Sequence, residues 1–125
     1  IYPELHYGRD ALVGIALFLS LMAKKKLKVS MIRSSYPNYV ISKNKVSLEE
    51  GMDVDGLLHQ IAEKYKNERI STIDGVKIDF ETEWVHLRKS NTEAIVRIYA
   101  ESNNLSKANH LADKIKSDIG TFLKG

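Results

Sequence analysis

Residues 37–125 read as an α+β domain, an antiparallel sheet with its helices on one face. Three observations predict this class. Four short strand-like runs follow one another from about position 70 with only turn-length gaps between them. An amphipathic helical pattern stands on each side of that block. The dipeptide Asp74-Gly75 joins two of the runs and is a strong hairpin signal, because both central positions of the tight turn need residues that tolerate positive φ.

The elements follow in order. Asp10 caps a helix over residues 11–24, and the Lys24-Lys25-Lys26 cluster suits its negative C-terminal end. Leu12, Val13, Ile15, Leu17, Phe18, Leu19, Leu21 and Met22 make this helix apolar almost all round, a pattern that expects burial on most of its surface. A short helix covers residues 29–34, and Tyr36-Pro37 ends it because a residue before proline is steered out of the αR region. A domain boundary is placed there, dividing the chain into residues 1–36 and 37–125.

Beyond it, residues 39–46 read as a strand with Tyr39, Ile41, Lys43 and Lys45 on one face. Asp53 caps a helix through Tyr65, with Val54, Leu57, Leu58, Ile61 and Tyr65 as its apolar stripe. The strand candidates are residues 70–73, 76–80, 84–87 and 95–100. Ser106 caps a last amphipathic helix that turns Ala108, Leu111, Ala112, Ile115 and Ile119 inward. The order after Pro37 is therefore β-α-β-β-β-β-α, with no internal repeat and no low-complexity linker.

At 125 residues and 43% apolar content, the chain can bury a real core. Its net charge of +3 is too small to argue for nucleic acid by itself. The absence of cysteine excludes disulfides and thiolate zinc sites and is compatible with a reducing cytosol. The apolar run at 11–23 is too short to span a bilayer comfortably, and its basic cluster follows it where a secretory signal would have one in front. His6, His59, His86 and His110 show no metal-ligand spacing. No catalytic triad, Walker loop or dinucleotide fingerprint is present.

The segment Arg88-Lys89-Ser90-Asn91-Thr92-Glu93 lies between two of the strand-like runs and carries most of the chemistry. It offers a guanidinium, two hydroxyls, an amide and several backbone N–H groups at one point, an inventory that suits phosphate. Ser, Asn and Thr also populate ordinary polar turns. Alternation puts Trp84, His86 and Arg88 on one strand face and Arg97 on a face with Ile95 and Tyr99. Arg88 and Arg97 can then converge on one anion; alternatively, Arg97 pairs with Glu93 or Glu101 at the surface.

The loop and the strand after it, through Ala94-Ile95-Val96-Arg97-Ile98-Tyr99-Ala100-Glu101, resemble the phosphate-binding segment of the α-D-phosphohexomutases, whose pattern is Arg-x-Ser-Gly/Asn-Thr-Glu-Pro followed by a strand with a second Arg. Asp74-Gly75-Val76-Lys77-Ile78-Asp79-Phe80 is similar to the hairpin preceding that loop, and residues 2–10 with the apolar helix resemble the end of the family's third domain. One departure is Ala94 where the family usually has Pro, which frees a backbone angle and restores a donor. The resemblance implies that the chain is the C-terminal part of a longer enzyme, with residues 1–36 from the third, sugar-binding domain. Residues 37–125 would be the fourth, phosphate-binding domain, with a TATA-binding-protein-like fold.

By carry-over it marks Arg88, Ser90, Asn91, Thr92 and Arg97 as phosphate-binding. Lys89 falls where the family varies, and Glu93 has an ordering role. Arg9, next to Asp10, is a candidate for the active-site cleft.

For the whole enzyme the resemblance implies reversible transfer of phosphate between C1 and C6 of a glucose, mannose or glucosamine phosphate. A phosphoserine, a sugar bisphosphate intermediate and Mg²⁺ held by aspartates carry that chemistry, and neither the serine nor the aspartates fall in this chain. No catalytic residue and no metal site are expected here, and the chain alone is expected to be inactive. A cytoplasmic location is expected, without nucleic-acid or membrane partners, and the 11–23 helix is a candidate surface for self-association. The competing reading is a small α+β module that binds RNA or another polyanion through the Lys-rich face of 39–46, although no aromatic pair sits at the spacing of an RNA-recognition strand. A purely structural domain with an ordinary turn is the third.

Overall fold

The computed structural model describes residues 1–49 and 51–123. The chain divides into two compact units, Ile1–Pro37 and Asn38–Gly125.

In the first unit, Asp10 caps α1 (Ala11–Lys25): its Oδ1 accepts from the backbone N–H groups of Leu12 and Val13 at 2.9 and 3.0 Å. The Asp10 Oδ2 lies 3.0 Å from His6 Nε2. That bond, and after it those from Val13 and Leu12, holds the Asp10 carboxyl below its ordinary range. Lys26, in the left-handed region at φ 52°, ends the helix. The burial expected of this helix is not found, since no residue of α1 is buried and Leu12, Ile15, Leu17 and Leu19 are all exposed. Its unit adds only α2 (Val29–Ser34), six residues long, as further helix.

The second unit is a five-stranded antiparallel sheet in the order β1-β5-β4-β3-β2. Its elements are β1 (Val40–Ser47), α3 (Val54–Lys64), β2 (Arg69–Ser71), β3 (Val76–Asp79), β4 (Trp84–Lys89), β5 (Ile95–Ser102) and α4 (Leu105–Phe122). The order matches the predicted one. The first strand returns to pair with the last, so β5 lies between β1 and β4.

Both helices cover one face: α4 packs on β1 and β5, and α3 on β3 and β4. Period-two alternation supplies that face with Val76, Ile78, Val85, Leu87, Val96, Ile98 and Ala100, while the helices supply Leu57, Leu58, Ile61, Leu111, Ala112, Ile115 and Ile119. Strand β1 contributes polar groups to the same face, and they are satisfied: Ser42 Oγ donates to Asn109 Oδ1 of α4 at 2.6 Å, and Asn44 Nδ2 donates to Ser42 Oγ at 2.8 Å.

Three local expectations change. Strand β2 ends at Ser71, so four residues, Thr72 to Gly75, join it to β3, and of the Asp74-Gly75 pair only Gly75 takes a positive φ. The cap of α4 is Asn104 rather than Ser106; its extended backbone lets the side chain accept from Lys107 N at 2.9 Å, whereas Ser106 already lies inside the first turn. Strand β4 runs through Arg88 and Lys89, which pair with Arg97 and Val96, so the loop proper is shorter than the string suggested. Among the described residues, no helix is long and apolar enough to cross a membrane.

Candidate functional site

The β4–β5 connection is held by its own backbone and by Leu48, the residue after β1. Ser90 N donates to Ile95 O at 3.1 Å and Ile95 N to Glu93 O at 2.8 Å, while Leu48 N reaches Ala94 O at 2.8 Å. The connection and the strand ends below it line a depression of about 240 Å³. Arg88, Ser90, Asn91, Thr92 and Arg97 all border it, together with Lys89 and Tyr99.

The two arginines are cross-strand partners in the β4–β5 ladder, so their side chains leave the same sheet face side by side. Directly opposed like charges destabilise a sheet unless something neutralises them. Arg88 has a partner, for its guanidinium lies 3.1 Å from Asp74 Oδ2. The turn carrying Asp74 is fixed against β4, because its carbonyl oxygen lies 2.6 Å from His86 Nε2. Gly75 (φ +73°) approaches β4 so closely that a Cβ there would collide with the Leu87 carbonyl oxygen. Asp74 thus orients one edge of the Arg88 fork and leaves the remaining donors available.

Arg97 has no carboxylate oxygen within 4.0 Å among the described residues. The alternative in which Glu93 or Glu101 neutralises it is not the arrangement found; Glu101 Oε1 instead accepts from Trp84 Nε1 at 2.8 Å. The Lys89 ammonium turns to the helix side and pairs with Asp55 at the start of α3, 2.8 Å away. Arg9 lies exposed in the first unit, beside the α1 cap. Sequence reasoning did not single out Asp74 as the Arg88 partner. The Asp-Gly signal marked the turn, but only the β3–β4 register places it beside Arg88.

Chemically the depression offers two guanidinium groups, the hydroxyl-bearing Ser90, Thr92 and Tyr99, an amide and the loop backbone. Such a set suits a tetrahedral oxyanion, with fork donors for its oxygens and neutral donors to fix its orientation. Among the described residues, no group of three or more His, Cys, Asp or Glu side chains could hold a metal ion.

The fold and this loop define a class, an α+β domain with a polar, cation-flanked connection at one end of an open sheet face. The chain belongs to the family described as Phosphoglucomutase/phosphomannomutase, C-terminal domain, which it matches over residues 44–117. It is 36% identical over 121 residues to the Phosphoglucosamine/phosphogalactosamine mutase of Sulfurisphaera tokodaii, covering 95% of this chain and 27% of that protein. Identity to the Phosphoglucomutase/phosphomannomutase of Thermococcus kodakarensis is 35% over 109 residues, 86% of this chain and 24% of that protein. A Probable phosphoglucosamine mutase of Methanocella arvoryzae is 28% identical over 122 residues, 95% and 27% of the two lengths. The chain spans about a quarter of the length of these curated relatives.

Proposed function

We propose that this chain is the phosphate-holding part of a hexose-phosphate mutase. The observation that carries the reading is the side-by-side placement of Arg88 and Arg97 below Ser90, Asn91 and Thr92. In the longer enzyme, phosphate would move between C1 and C6 of a hexose through a phosphoserine and a bisphosphate intermediate, with Mg²⁺ held by residues outside this chain. The task of this domain is positioning. It grips the phosphate that is not reacting and so holds the other end of the sugar near the serine, a use of remote binding energy to fix geometry. Because either end of the sugar must fit, the grip is on phosphate rather than on sugar.

In this reading residues 1–36 finish a sugar-binding domain, and Arg9 faces the cleft. The protein works in the cytoplasm, and the chain by itself turns over no substrate. The exposed apolar residues of α1 pair with a second copy when the chain is alone; sedimentation showing only monomer at high concentration would remove that part of the reading.

The test of the grip is backbone NMR shift mapping with inorganic phosphate and glucose 6-phosphate added to the 125-residue chain. Shifts are expected at residues 88–92 and at Arg97, alike for both ligands. Arg97→Gln should weaken binding about tenfold without changing the fold. Shifts spread over the β1 strand with short RNA, and none with phosphate, would favour the polyanion module instead.

A further inference from the structure

The sheet face that carries the two arginines is divided in its electrostatics. On β2, β3 and β4 every cation has a carboxylate. Arg69 and Lys77 share Asp79, and Arg88 has Asp74. On β1 and β5 none does: among the described residues, Lys43, Lys45 and Arg97 have no carboxylate oxygen within 4.0 Å.

The register sharpens the contrast. Lys45 is the cross-strand partner of Arg97, and Arg97 is the partner of Arg88. Direct partners share a face, so three exposed cations form one row across β1, β5 and β4. At a strand spacing of about 4.8 Å, the row spans only about 10 Å between its outer Cα atoms, within the combined reach of a lysine and an arginine. A second depression of about 370 Å³ lies over β1 and β5, lined in part by Lys43, Lys45, Arg97 and Tyr99. It shares Arg97 and Tyr99 with the loop depression, so the two adjoin along β5. Lysines on an edge strand also discourage edge-to-edge pairing, and β1 can carry them only on the face with Arg97 because α4 covers the other.

We propose that Lys45 is the third cation of the anion site, contacting the same phosphate as Arg97 from the β1 side. This rests on the phosphate reading above and names a residue outside the loop motif. Arg97 is then the centre of the site, with Arg88 held by Asp74 on one flank and a mobile point charge on the other. Three cations, two of them with no carboxylate oxygen within 4.0 Å among the described residues, match a phosphate monoester dianion better than a singly charged anion.

The test is the same NMR titration of the 125-residue chain with inorganic phosphate, comparing wild type, Lys45→Gln, Lys45→Arg and, as a charge control on α4, Lys107→Gln. Lys45→Gln should weaken phosphate binding roughly threefold, the size expected of an exposed ion pair, and Lys45→Arg should restore it. Lys107→Gln should bind as wild type does. Thermal midpoints should not fall in Lys45→Gln, because removing one of three aligned like charges relieves repulsion. Unchanged affinity in Lys45→Gln, with wild-type shifts still at residues 88–92 and Arg97, overturns the role of Lys45 and leaves the phosphate site standing. Equal weakening in Lys107→Gln overturns it as well, since net charge alone would then explain the loss. No wild-type shifts at those residues overturns the phosphate reading, and this inference with it.

Discussion

On the helix-covered side of the sheet, Ile78, Val85, Leu87, Val96, Ile98 and Ala100 are fully buried. On the other side the same strands present Lys45, Arg97 and Arg88 in one row, then Lys43, Tyr99, His86 and Lys77 in the next, all half-buried or exposed. Residues one position apart in the chain therefore belong to different worlds: Ile98 is core, and Arg97 and Tyr99 on either side of it border the candidate site. The alternation of a β-strand makes this possible, since successive side chains point to opposite faces. The difference teaches that the stability of this domain and its chemistry can be altered separately, by choosing odd or even positions of one strand.

The largest effect that separates the faces is expected at Ile98. Ile98→Ala should cost about 2–5 kcal/mol in a urea unfolding experiment, through lost burial and an incompletely closed cavity. Phosphate affinity measured well below the unfolding transition should change little, because the flanking site residues stand on the other face. A folded Ile98→Ala protein that no longer binds would break the comparison and tie the site to core packing.

A smaller effect is expected at Gly75, where the two faces meet through the backbone. Its positive φ and the nearby Leu87 carbonyl oxygen both resist a side chain, so Gly75→Ala should destabilise by about 1–3 kcal/mol. It should also disturb the Asp74–Arg88 pair. Amide shifts at Arg88 that stay at their wild-type values in the variant would show that the turn does not orient the guanidinium.

What could be read in the string follows the range of the forces involved. Alternation and helical periodicity are local, so the inward positions of β4, β5, α3 and α4 were legible from residue types alone. The shared face of Arg88 and Arg97 was legible too, by counting outward from the loop. Sheet order is not local. Nothing in residues 40–47 announces that β1 lies beside β5, and without that pairing Lys45 has no reason to be associated with Arg97. The choice of Asn104 over Ser106 as cap was close for another reason, since both are good capping residues and backbone geometry decided between them. The apolar pattern of α1 correctly announced a helix, but amphipathicity speaks to what should cover a helix, and its own unit does not supply that cover.

The smallest effect concerns Tyr65, on the helix side at the end of α3. Its hydroxyl donates to Asp118 Oδ2 of α4 at 2.6 Å, and Lys64 pairs with Oδ1 of the same carboxylate at 2.6 Å. The ring meets Phe80 edge-on with centroids 5.9 Å apart. Burial first, and then the Asp118 hydrogen bond and charge, push the phenol well above its ordinary range. A raised pKa means that the folded state prefers the neutral phenol. That contribution to stability is complete below about pH 10, where the unfolded phenol begins to ionise, and is lost as pH rises from there toward the folded value. Tyr65→Phe should cost about 1 kcal/mol at neutral pH, the net worth of one such hydrogen bond, and leave phosphate binding unchanged. The gap between wild type and variant should then shrink above about pH 10, because the phenylalanine protein has nothing to lose there. Parallel urea unfolding of the two proteins from neutral to alkaline pH reads this directly. A gap that stays constant would mean that the phenol contributes packing alone, and a change in phosphate affinity would show that the two faces are coupled through α4 and β5 after all.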